Sequence, residues 1–237
     1  MKDSIRTVFF DFDGTLVFHE PDSFEVTIDF CVEIGQPLSP EDKHHGRRMQ
    51  HEYFLDPHIR EKLSSLSTDE FWLHYNQYRL EALGIEGDID HLAKELTDRI
   101  ASLEFSYTCP EAGCRTLVEL RARDYGVGLI TNREHVERFH VLLDQLGMWP
   151  YFDTILASGE VGISKPEPGI FHAAMTRIEA TPESSLYIGD NYWADVVGAR
   201  RAGLTPVLLD PHDLFPESDC LVLKRIDDLL AWQPVRR

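Results

Sequence analysis

Long hydrophobic runs are missing from this chain of 237 residues. No stretch approaches the roughly 20 apolar residues of a membrane helix. The first residues, MKDSIRTVFFDFDGT, also lack the apolar segment of about 7 to 15 residues that is typical of a signal peptide. We therefore expect no membrane association and a cytoplasmic location. Cysteine is scarce as well, with 4 residues whose spacing fits no zinc site, so we expect reduced and mostly buried thiols.

Basic residues are few relative to acidic ones. The chain has 23 Lys and Arg residues against 41 Asp and Glu residues, which gives a formal net charge of −18. A surface this negative repels nucleic acid and anionic membranes, whereas it attracts divalent cations. A small anionic substrate is compatible with this charge, because a local cation dominates within a screening length of about 8 Å. We therefore expect a small-molecule partner and no nucleic-acid partner.

Short apolar runs recur along the chain, and each is followed by a polar or small residue. They are predicted to be buried strands and comprise residues 8–10, 127–130, 154–157, 186–188 and 207–209. Stretches with helical spacing follow most of them, at residues 113–124, 134–146, 169–178 and 194–202. This alternation predicts an α/β fold with a doubly wound parallel sheet, whose strands all end at one edge. Asp11, Thr131 and Asp190 are therefore expected in one crevice.

The segment from residue 17 to residue 106 interrupts this alternation. It is rich in helix formers and aromatic residues and contains no clear buried strand. Helical spacing is found for Phe71, Tyr75, Tyr78 and Ala82, and again for Leu92, Leu96, Arg99 and Leu103. We interpret residues 17–106 as an inserted α-helical cap domain with its own small core, and residues 1–16 and 107–237 as an α/β catalytic core. A dedicated aromatic cage for the substrate is the alternative interpretation.

Four short motifs coincide with these strand ends. They are Asp11-Phe12-Asp13-Gly14-Thr15, Leu129-Ile130-Thr131-Asn132, Lys165-Pro166-Glu167-Pro168, and Gly189-Asp190 with Asp195 and the run from Gly198 to Gly203. In this order they resemble the four motifs of the haloacid dehalogenase superfamily, and the insertion after the first motif resembles the helical caps of one branch. That branch includes phosphoglycolate phosphatases, nucleotidases and β-phosphoglucomutase. The resemblance implies a Rossmann-like core and phosphatase activity on a small phosphorylated substrate.

The first motif and Asp190 carry the central chemistry that the resemblance implies. Asp11 would attack phosphorus and form an aspartyl-phosphate, which divides one difficult reaction into two easier steps. Asp13 would protonate the leaving oxygen and later activate water. Mg²⁺ prefers oxygen ligands, and the resemblance implies that it binds a carboxylate oxygen of Asp11, the backbone carbonyl of Asp13, and Asp190. We therefore expect Mg²⁺ as the cofactor.

Three further residues would bind the transferring phosphate. The resemblance gives this role to Thr131 through its hydroxyl, to Asn132 through an amide, and to Lys165 through its charge. We expect Asp195 to orient Lys165 or a metal-bound water rather than to bind the metal. Each residue alone has an ordinary structural alternative, such as a helix cap for Thr131 or a solvated cation for Lys165. Their joint occurrence at successive strand ends favours the functional interpretation.

Other basic residues are open to two interpretations. Arg133 follows the second motif, where it either contacts the substrate or pairs with a helix acid such as Glu137. The most basic patch of the inserted segment either lies at its surface, which we favour, or faces the substrate. This patch comprises His44, His45, Arg47, Arg48 and His51.

Alternative functions stay open within and outside this family. A phosphomutase uses the same core and returns the phosphate to a bound sugar. A dehalogenase also uses an aspartate nucleophile, but those relatives usually lack the second aspartate of the first motif, so Asp13 counts against this activity. A phosphate- or metal-binding regulatory module without turnover is a third alternative. The substrate and the oligomeric state stay open as well, because the motifs define the reaction at phosphorus while the inserted segment selects the leaving group.

Overall fold

A computed structural model gives the structure of residues 5–53, 59 and 66–232. The chain divides into two compact units, of which unit 1 is Met1–Phe18 with Tyr107–Arg237 and unit 2 is His19–Ser106. The sequence-based boundary between catalytic core and insert lies at residues 16/17 and 106/107. Within the described residues, no helix is both long enough and apolar enough to cross a bilayer.

Unit 1 is built on a parallel six-stranded sheet, as the sequence predicts. The strands within the described residues are β1 (Thr7–Phe10), β2 (Phe18–Glu20), β3 (Ser106–Thr108), β4 (Gly126–Thr131), β5 (Thr154–Ala157), β6 (Ser185–Gly189), β7 (Thr205–Leu209) and β8 (Leu221–Leu223). The order in the large sheet is β5-β4-β1-β6-β7-β8, while β2 and β3 form a separate two-stranded sheet. The chain moves outward from β1 in both directions, so the ends of β1, β4 and β6 border the crevice where ligands bind in doubly wound sheets.

The helices have the following bounds. They are α1 (Ser23–Glu33), α2 (Pro40–Glu52), α3 (Thr68–Ala82), α4 (Ile89–Ala101), α5 (Glu111–Ala122), α6 (Val136–Gln145), α7 (Ser158–Val161), α8 (Pro168–Arg177) and α9 (Gly198–Arg201). Short 3₁₀ turns lie at Trp149–Tyr151, Pro182–Ser184 and Ile226–Ala231, and a π-helix spans Tyr192–Val197. The first four helices belong to unit 2 and the others to unit 1.

Alternating strand residues build two apolar cores on the two faces of the sheet. Val8 and Phe10 of β1 lie in one core with α5 and α6, whereas Phe9 lies in the other core with α8. Each face is fully covered by helices, which explains why β1 consists only of buried residues. The two-residue period of a strand thus sends successive apolar side chains to opposite layers. Near-continuous apolar strands are the expected result, and this is why the sequence signal was clear.

The helix predicted at residues 194–202 has a different form. It begins as the π-helix Tyr192–Val197 and continues as the α-helical turn α9. The side chain of Asn191 caps it by accepting hydrogen bonds from the backbone N–H groups of Trp193 (3.0 Å) and Ala194 (2.9 Å). A π-helical turn holds more residues than an α-helical turn, and such turns are frequent at functional sites. Asp195 lies on this turn.

Unit 2 has its own apolar core, but the predicted aromatic face of α3 lies outside it. The core contains Leu80 and Leu83 together with residues of α1 and α4 such as Phe24 and Leu96. The aromatic side chains of α3 contact one another and Tyr53 instead, with the ring centroids of Tyr53 and Tyr75 5.1 Å apart. The helical spacing of these aromatic residues correctly indicated a helix, but the helix presents its leucines to the core because aliphatic side chains fill the space between helices.

Ion pairs and thiols in this fold differ in part from expectation. In the basic patch, Arg47 pairs with Glu25 at 2.5 Å and Arg48 pairs with Glu52 at 2.6 Å. Arg99, which the helical pattern placed on the apolar stripe of α4, pairs with Glu33 at 2.6 Å.

The four cysteines are free thiols. The expectation of mostly buried thiols is wrong, because Cys31 is buried while the other three are half-buried.

Candidate active site

The ends of three strands and two loops of unit 1 bring the predicted residues to one cleft. The cleft is lined by Asp11, Asp13, Thr131, Asn132, Arg133, Lys165, Asp190, Asn191, Ala194 and Asp195. Seven of these residues are those to which the sequence gave a catalytic, metal-binding, phosphate-binding or orienting role, and the others are Arg133, Asn191 in the loop after β6, and Ala194 in the π-helix. Their convergence follows from the parallel sheet, because β1, β4 and β6 are adjacent and their carboxyl ends meet at the same edge.

Lys165 is buried and forms the centre of the hydrogen-bond network. Its Nζ donates to Asp11 Oδ1 at 2.5 Å, to Asp195 Oδ1 at 2.7 Å and to the Tyr187 hydroxyl at 2.9 Å. Burial alone lowers the pKa of Lys165, but the nearby charges of Asp11 and Asp195 outweigh it and the pKa is raised overall. Lys165 therefore stays an ammonium ion, and its three protons all have acceptors.

The side chain of Asn132 positions the loop that carries Lys165. Its Nδ2 donates to the backbone carbonyl of Lys165 at 2.9 Å, and its Oδ1 accepts from the backbone N–H of Lys165 at 2.7 Å. The side-chain amide is therefore engaged by the protein. A contact of Asn132 with phosphate would use its backbone N–H instead. Thr131 ends β4 beside it and is buried.

Asp195 is held by donors on both carboxylate oxygens. Oδ1 accepts from Lys165 and lies 3.1 Å from the Tyr187 hydroxyl, while Oδ2 accepts from the backbone N–H of Asn191 at 2.9 Å. These partners leave little capacity for a metal ligand, and the geometry agrees with the expectation that Asp195 orients Lys165. Sequence reasoning missed Tyr187, because a tyrosine inside an apolar strand has the same pattern as a core residue. A buried phenol needs a polar partner, and that requirement was the available signal.

Three carboxylates form a cluster that can hold a cation. Asp11, Asp190 and Asp195 each place an oxygen within 4.8 Å of the others. Burial, with help from the charge of Asp195 and against that of Lys165, raises the pKa of Asp11 to about 7. Burial and the charges of Asp11 and Asp195 also raise the pKa of Asp190 well above its ordinary value. A divalent cation would offset this repulsion, and carboxylate oxygens are the donors that hard cations prefer.

Two glycines make the close approach of these carboxylates possible. Gly14 has a positive φ of 76°, and a Cβ atom there would lie 2.7 Å from Asp190 Oδ2. A Cβ atom at Gly189 would lie 2.2 Å from Asp195 Oδ2. Any larger residue would displace the carboxylate that it touches. The hydroxyl of Thr15 donates to Asp190 Oδ1 at 3.2 Å, which gives the last residue of the first motif a role that the sequence did not reveal.

Asp13 is engaged by a cation of its own. Arg133 Nε donates to Asp13 Oδ2 at 2.9 Å, and a terminal Arg133 nitrogen donates to Asp13 Oδ1 at 2.6 Å. The suggested pairing of Arg133 with Glu137 is therefore wrong. Burial alone lowers the pKa of Arg133, but its hydrogen bonds and the charge of Asp13 raise it overall. The cleft thus contains two cations with different partners.

Comparisons with known proteins agree with the fold and the motifs. The family model of haloacid dehalogenase-like hydrolases matches residues 5–203. Glyceraldehyde 3-phosphate phosphatase of Methanothermobacter thermautotrophicus is 26% identical over 220 residues, which cover 91% of this chain and 90% of that protein. Phosphoserine phosphatase of Thermus thermophilus is 36% identical over 138 residues, which cover 58% of this chain and 54% of that protein.

A solved structure shows the same fold. The magnesium-bound HAD-hydrolase YfnB from Bacillus subtilis superposes with a TM-score of 0.61 at 19% sequence identity, covering 97% of this chain and 98% of that one. The family match spans most of the chain and includes all four motifs. The chain therefore belongs to the haloacid dehalogenase-like hydrolase family.

The carboxylate cluster predicts an unusual pH dependence of stability. Folded Asp11 has a pKa of about 7 against an ordinary value of 3.8, so at intermediate pH the folded state retains a proton that the unfolded chain has released. The unfolding free energy of the metal-free protein should therefore fall by on the order of 1–3 kcal/mol as the pH rises from about 5 to about 8. Denaturant unfolding in the presence of a chelator measures this change.

Asp190→Asn should reduce the fall in unfolding free energy with rising pH, because the substitution removes one charge from the cluster. The variant should also be more stable than wild type without metal at the upper end of the pH range, and it should lose the rise in Tm on adding Mg²⁺. Asp144→Asn, at an exposed position on α6, is the matched control and should behave as wild type. Stability of the metal-free protein that does not change with pH, or an undiminished Mg²⁺ effect in Asp190→Asn, contradicts the role given to the cluster.

Proposed function

We propose that this protein is a magnesium-dependent phosphatase that hydrolyses small phosphomonoesters through an aspartyl-phosphate on Asp11. The observation that carries the proposal is the contact of 2.5 Å between Asp11 and the buried ammonium of Lys165, beside Asp190 in the same cleft. This arrangement provides a fixed nucleophile, a cation for the transferring phosphate and an acidic site for metal. The names of the relatives, phosphatases of glyceraldehyde 3-phosphate and of phosphoserine, support the same reaction class.

Asp11 is the nucleophile in this proposal. Lys165 holds Oδ1 and thereby fixes the direction of the carboxylate. The other oxygen attacks phosphorus, a P–O bond to Asp11 forms, and the bond between phosphorus and the leaving oxygen breaks. Asp13 gives its proton to that leaving oxygen. In the second step water attacks phosphorus, its proton passes to Asp13, and the bond to Asp11 breaks, which releases phosphate and restores both carboxyl groups.

The cleft has the donor set for Mg²⁺. Asp11 and Asp190 would hold it, together with the backbone carbonyl of Asp13, and bound Mg²⁺ would supply the positive charge that offsets repulsion between the phosphate and its nucleophile. Asp195 keeps Lys165 in place, since both of its oxygens accept hydrogen bonds from the protein. These assignments give each carboxylate of the cluster a different task.

The transferring phosphate would lie against Lys165, the Thr131 hydroxyl and the backbone N–H of Asn132. All three are fixed before the substrate arrives, since Lys165 is buried and Asn132 is bonded to its loop. Preorganised donors of this kind act where negative charge develops. The substrate is a small phosphorylated molecule in this proposal, and the part of the chain that selects it is unit 2, whose role as a cap stays a prediction.

Replacement of the nucleophile tests the proposal first. Asp11→Asn should bind metal more weakly and lose at least about three orders of magnitude in turnover, because the amide cannot form the intermediate. Phosphate release from a panel of phosphomonoesters with Mg²⁺ measures this loss, and a chelator should abolish wild-type activity. Asp144→Asn serves as the control and should keep full activity. Near-normal hydrolysis by Asp11→Asn, or by metal-free enzyme, would contradict the proposed mechanism.

A change of leaving group tests the role of Asp13. Protonation matters most for a poor alkoxide leaving group and least for p-nitrophenolate. Asp13→Asn should therefore slow phosphoryl transfer from an alkyl phosphate far more than transfer from p-nitrophenyl phosphate, measured as a rapid-mixing burst. Hydrolysis of the intermediate should slow equally for both substrates. Equal losses in the burst rate, with unchanged metal affinity, would remove Asp13 from the acid role.

A further inference from the structure

We propose that Arg133 is a positioning residue that orients the side chain of Asp13 for hydrolysis of the aspartyl-phosphate. The inference rests on the function proposed above and adds a residue to it. Its starting point is the pair of hydrogen bonds, 2.9 Å and 2.6 Å long, that Arg133 donates to the two oxygens of Asp13. A planar guanidinium that meets a carboxylate with two parallel N–H groups fixes both the position and the rotation of that carboxylate.

The guanidinium of Arg133 is itself fixed by aromatic rings. It lies 5.3 Å from the ring centre of Phe12, 5.2 Å from that of Tyr107 and 5.9 Å from that of Phe139. Phe12 and Phe139 are fully buried and pack edge to face, so they cannot move aside. Rings at this distance attract a cation and limit the directions in which it can point. Arg133 is therefore a preorganised clamp rather than a mobile surface side chain.

The arginine of this pair is more buried than that of the Arg177–Glu160 pair of unit 1. The side chains of Arg133 and Asp13 are 25% and 44% exposed, whereas those of Arg177 and Glu160 are 41% and 22% exposed. Exposed pairs contribute little because solvent screens them and long side chains lose entropy. A half-buried pair with two hydrogen bonds at the wall of the cleft is better suited to control the orientation of a reacting group.

The two cations of the cleft serve different carboxylates. Lys165 contacts Asp11 and Asp195, and Arg133 contacts Asp13. The nucleophile and the acid–base residue are thus oriented independently of each other. Loss of Arg133 should leave the nucleophile in place and disturb only the steps in which Asp13 moves a proton.

The effect of this orientation can be isolated in one of the two proton transfers. Both oxygens of Asp13 accept N–H groups of Arg133, so the direction of its side chain is fixed. In the hydrolysis step this carboxylate takes a proton from water, the water oxygen forms a bond to phosphorus, and the bond from phosphorus to Asp11 breaks. That step requires an ionised base in the correct position. The transfer step with an activated leaving group requires no proton and should be independent of Arg133.

The experiment compares the two steps in one set of variants. Arg133→Met removes the charge at similar length, Arg133→Lys keeps the charge without the double hydrogen bond, and Arg138→Met, at an exposed position on α6, is the control. With Mg²⁺ and p-nitrophenyl phosphate, stopped flow gives the burst of p-nitrophenolate, phosphate release gives kcat, and intact mass after acid quenching gives the fraction of phosphorylated enzyme.

Arg133→Met should keep the burst rate within about threefold and lose about 10- to 100-fold in kcat, a loss in the range for a misplaced catalytic group. Phosphorylated enzyme should accumulate above the wild-type level, which a general structural defect would not cause. The kcat of Arg133→Lys should lie between those of wild type and Arg133→Met, and this variant provides the test if Arg133→Met unfolds. Arg133→Met combined with Asp13→Asn should lose no more kcat than Asp13→Asn alone, because Arg133 acts through Asp13.

Four outcomes contradict the inference, and the first of them also contradicts the proposed function on which it rests. If wild type shows no magnesium-dependent hydrolysis, the proposed function fails and the inference fails with it. If wild type is active but Arg133→Met slows both steps equally, without extra phosphorylated enzyme, only the inference fails. An additive loss in the double variant, or a kcat above that of wild type in Arg133→Met, also overturns it. The last result would mean that Arg133 restrains Asp13 in an inactive orientation.

Discussion

The buried ammonium of Lys165 is the charge on which the rest of the site depends. It is 6% exposed and contacts two carboxylates and a phenol. An unpaired charge in this position would be strongly unfavourable, so each partner must be present for the loop to fold as it does. Asn132 holds the backbone of the same residue from the neighbouring strand end. The orientation of Asp11 is therefore a consequence of how the protein neutralises Lys165.

Negative charge nevertheless exceeds positive charge in this cleft. One ammonium faces three clustered carboxylates, and burial together with this imbalance raises the pKa values of Asp11 and Asp190. Two glycines allow the carboxylates to lie this close together, because a side chain at Gly14 or Gly189 would displace the acid that it touches. We expect such a cluster to destabilise the metal-free protein and to favour the binding of a cation. The carboxylates that we propose to bind metal are therefore also expected to lower the stability of the metal-free protein.

Much of the fold and most of the site could be predicted from sequence, for a clear physical reason. The strands of the core are buried on both faces, so they form apolar runs that end at polar residues, and parallel connections bring those ends together. Strand β8 was missed because three residues are too short to show a pattern. The face of α3 was misassigned because Phe71 and Tyr78 have the same spacing as Leu73 and Leu80, which are the residues of the helix that pack in the core.

Sequence patterns did not predict the contacts between residues that lie far apart in the sequence. Tyr187 lies in an apolar strand, and nothing local shows that its hydroxyl meets Lys165 and Asp195. Arg133 has a sequence neighbour of opposite charge, yet it pairs with Asp13, which is 120 positions away in sequence. Both contacts depend on the register of adjacent strands, which brings the end of β1 beside the ends of β4 and β6. Motifs therefore predicted the groups that we propose to react, while the structure was needed to find the residues that hold them in place.

The central claim is that phosphate is carried covalently by Asp11. The most direct measurement is acid quenching during turnover with Mg²⁺ and a hydrolysed phosphomonoester, followed by peptide mass mapping of the protein. We expect phosphate on the peptide that contains Asp11, assigned to this residue by fragmentation, and its disappearance when the substrate is exhausted. Phosphate on any other residue, or no phosphorylated peptide when turnover is limited by hydrolysis of the intermediate, would contradict it.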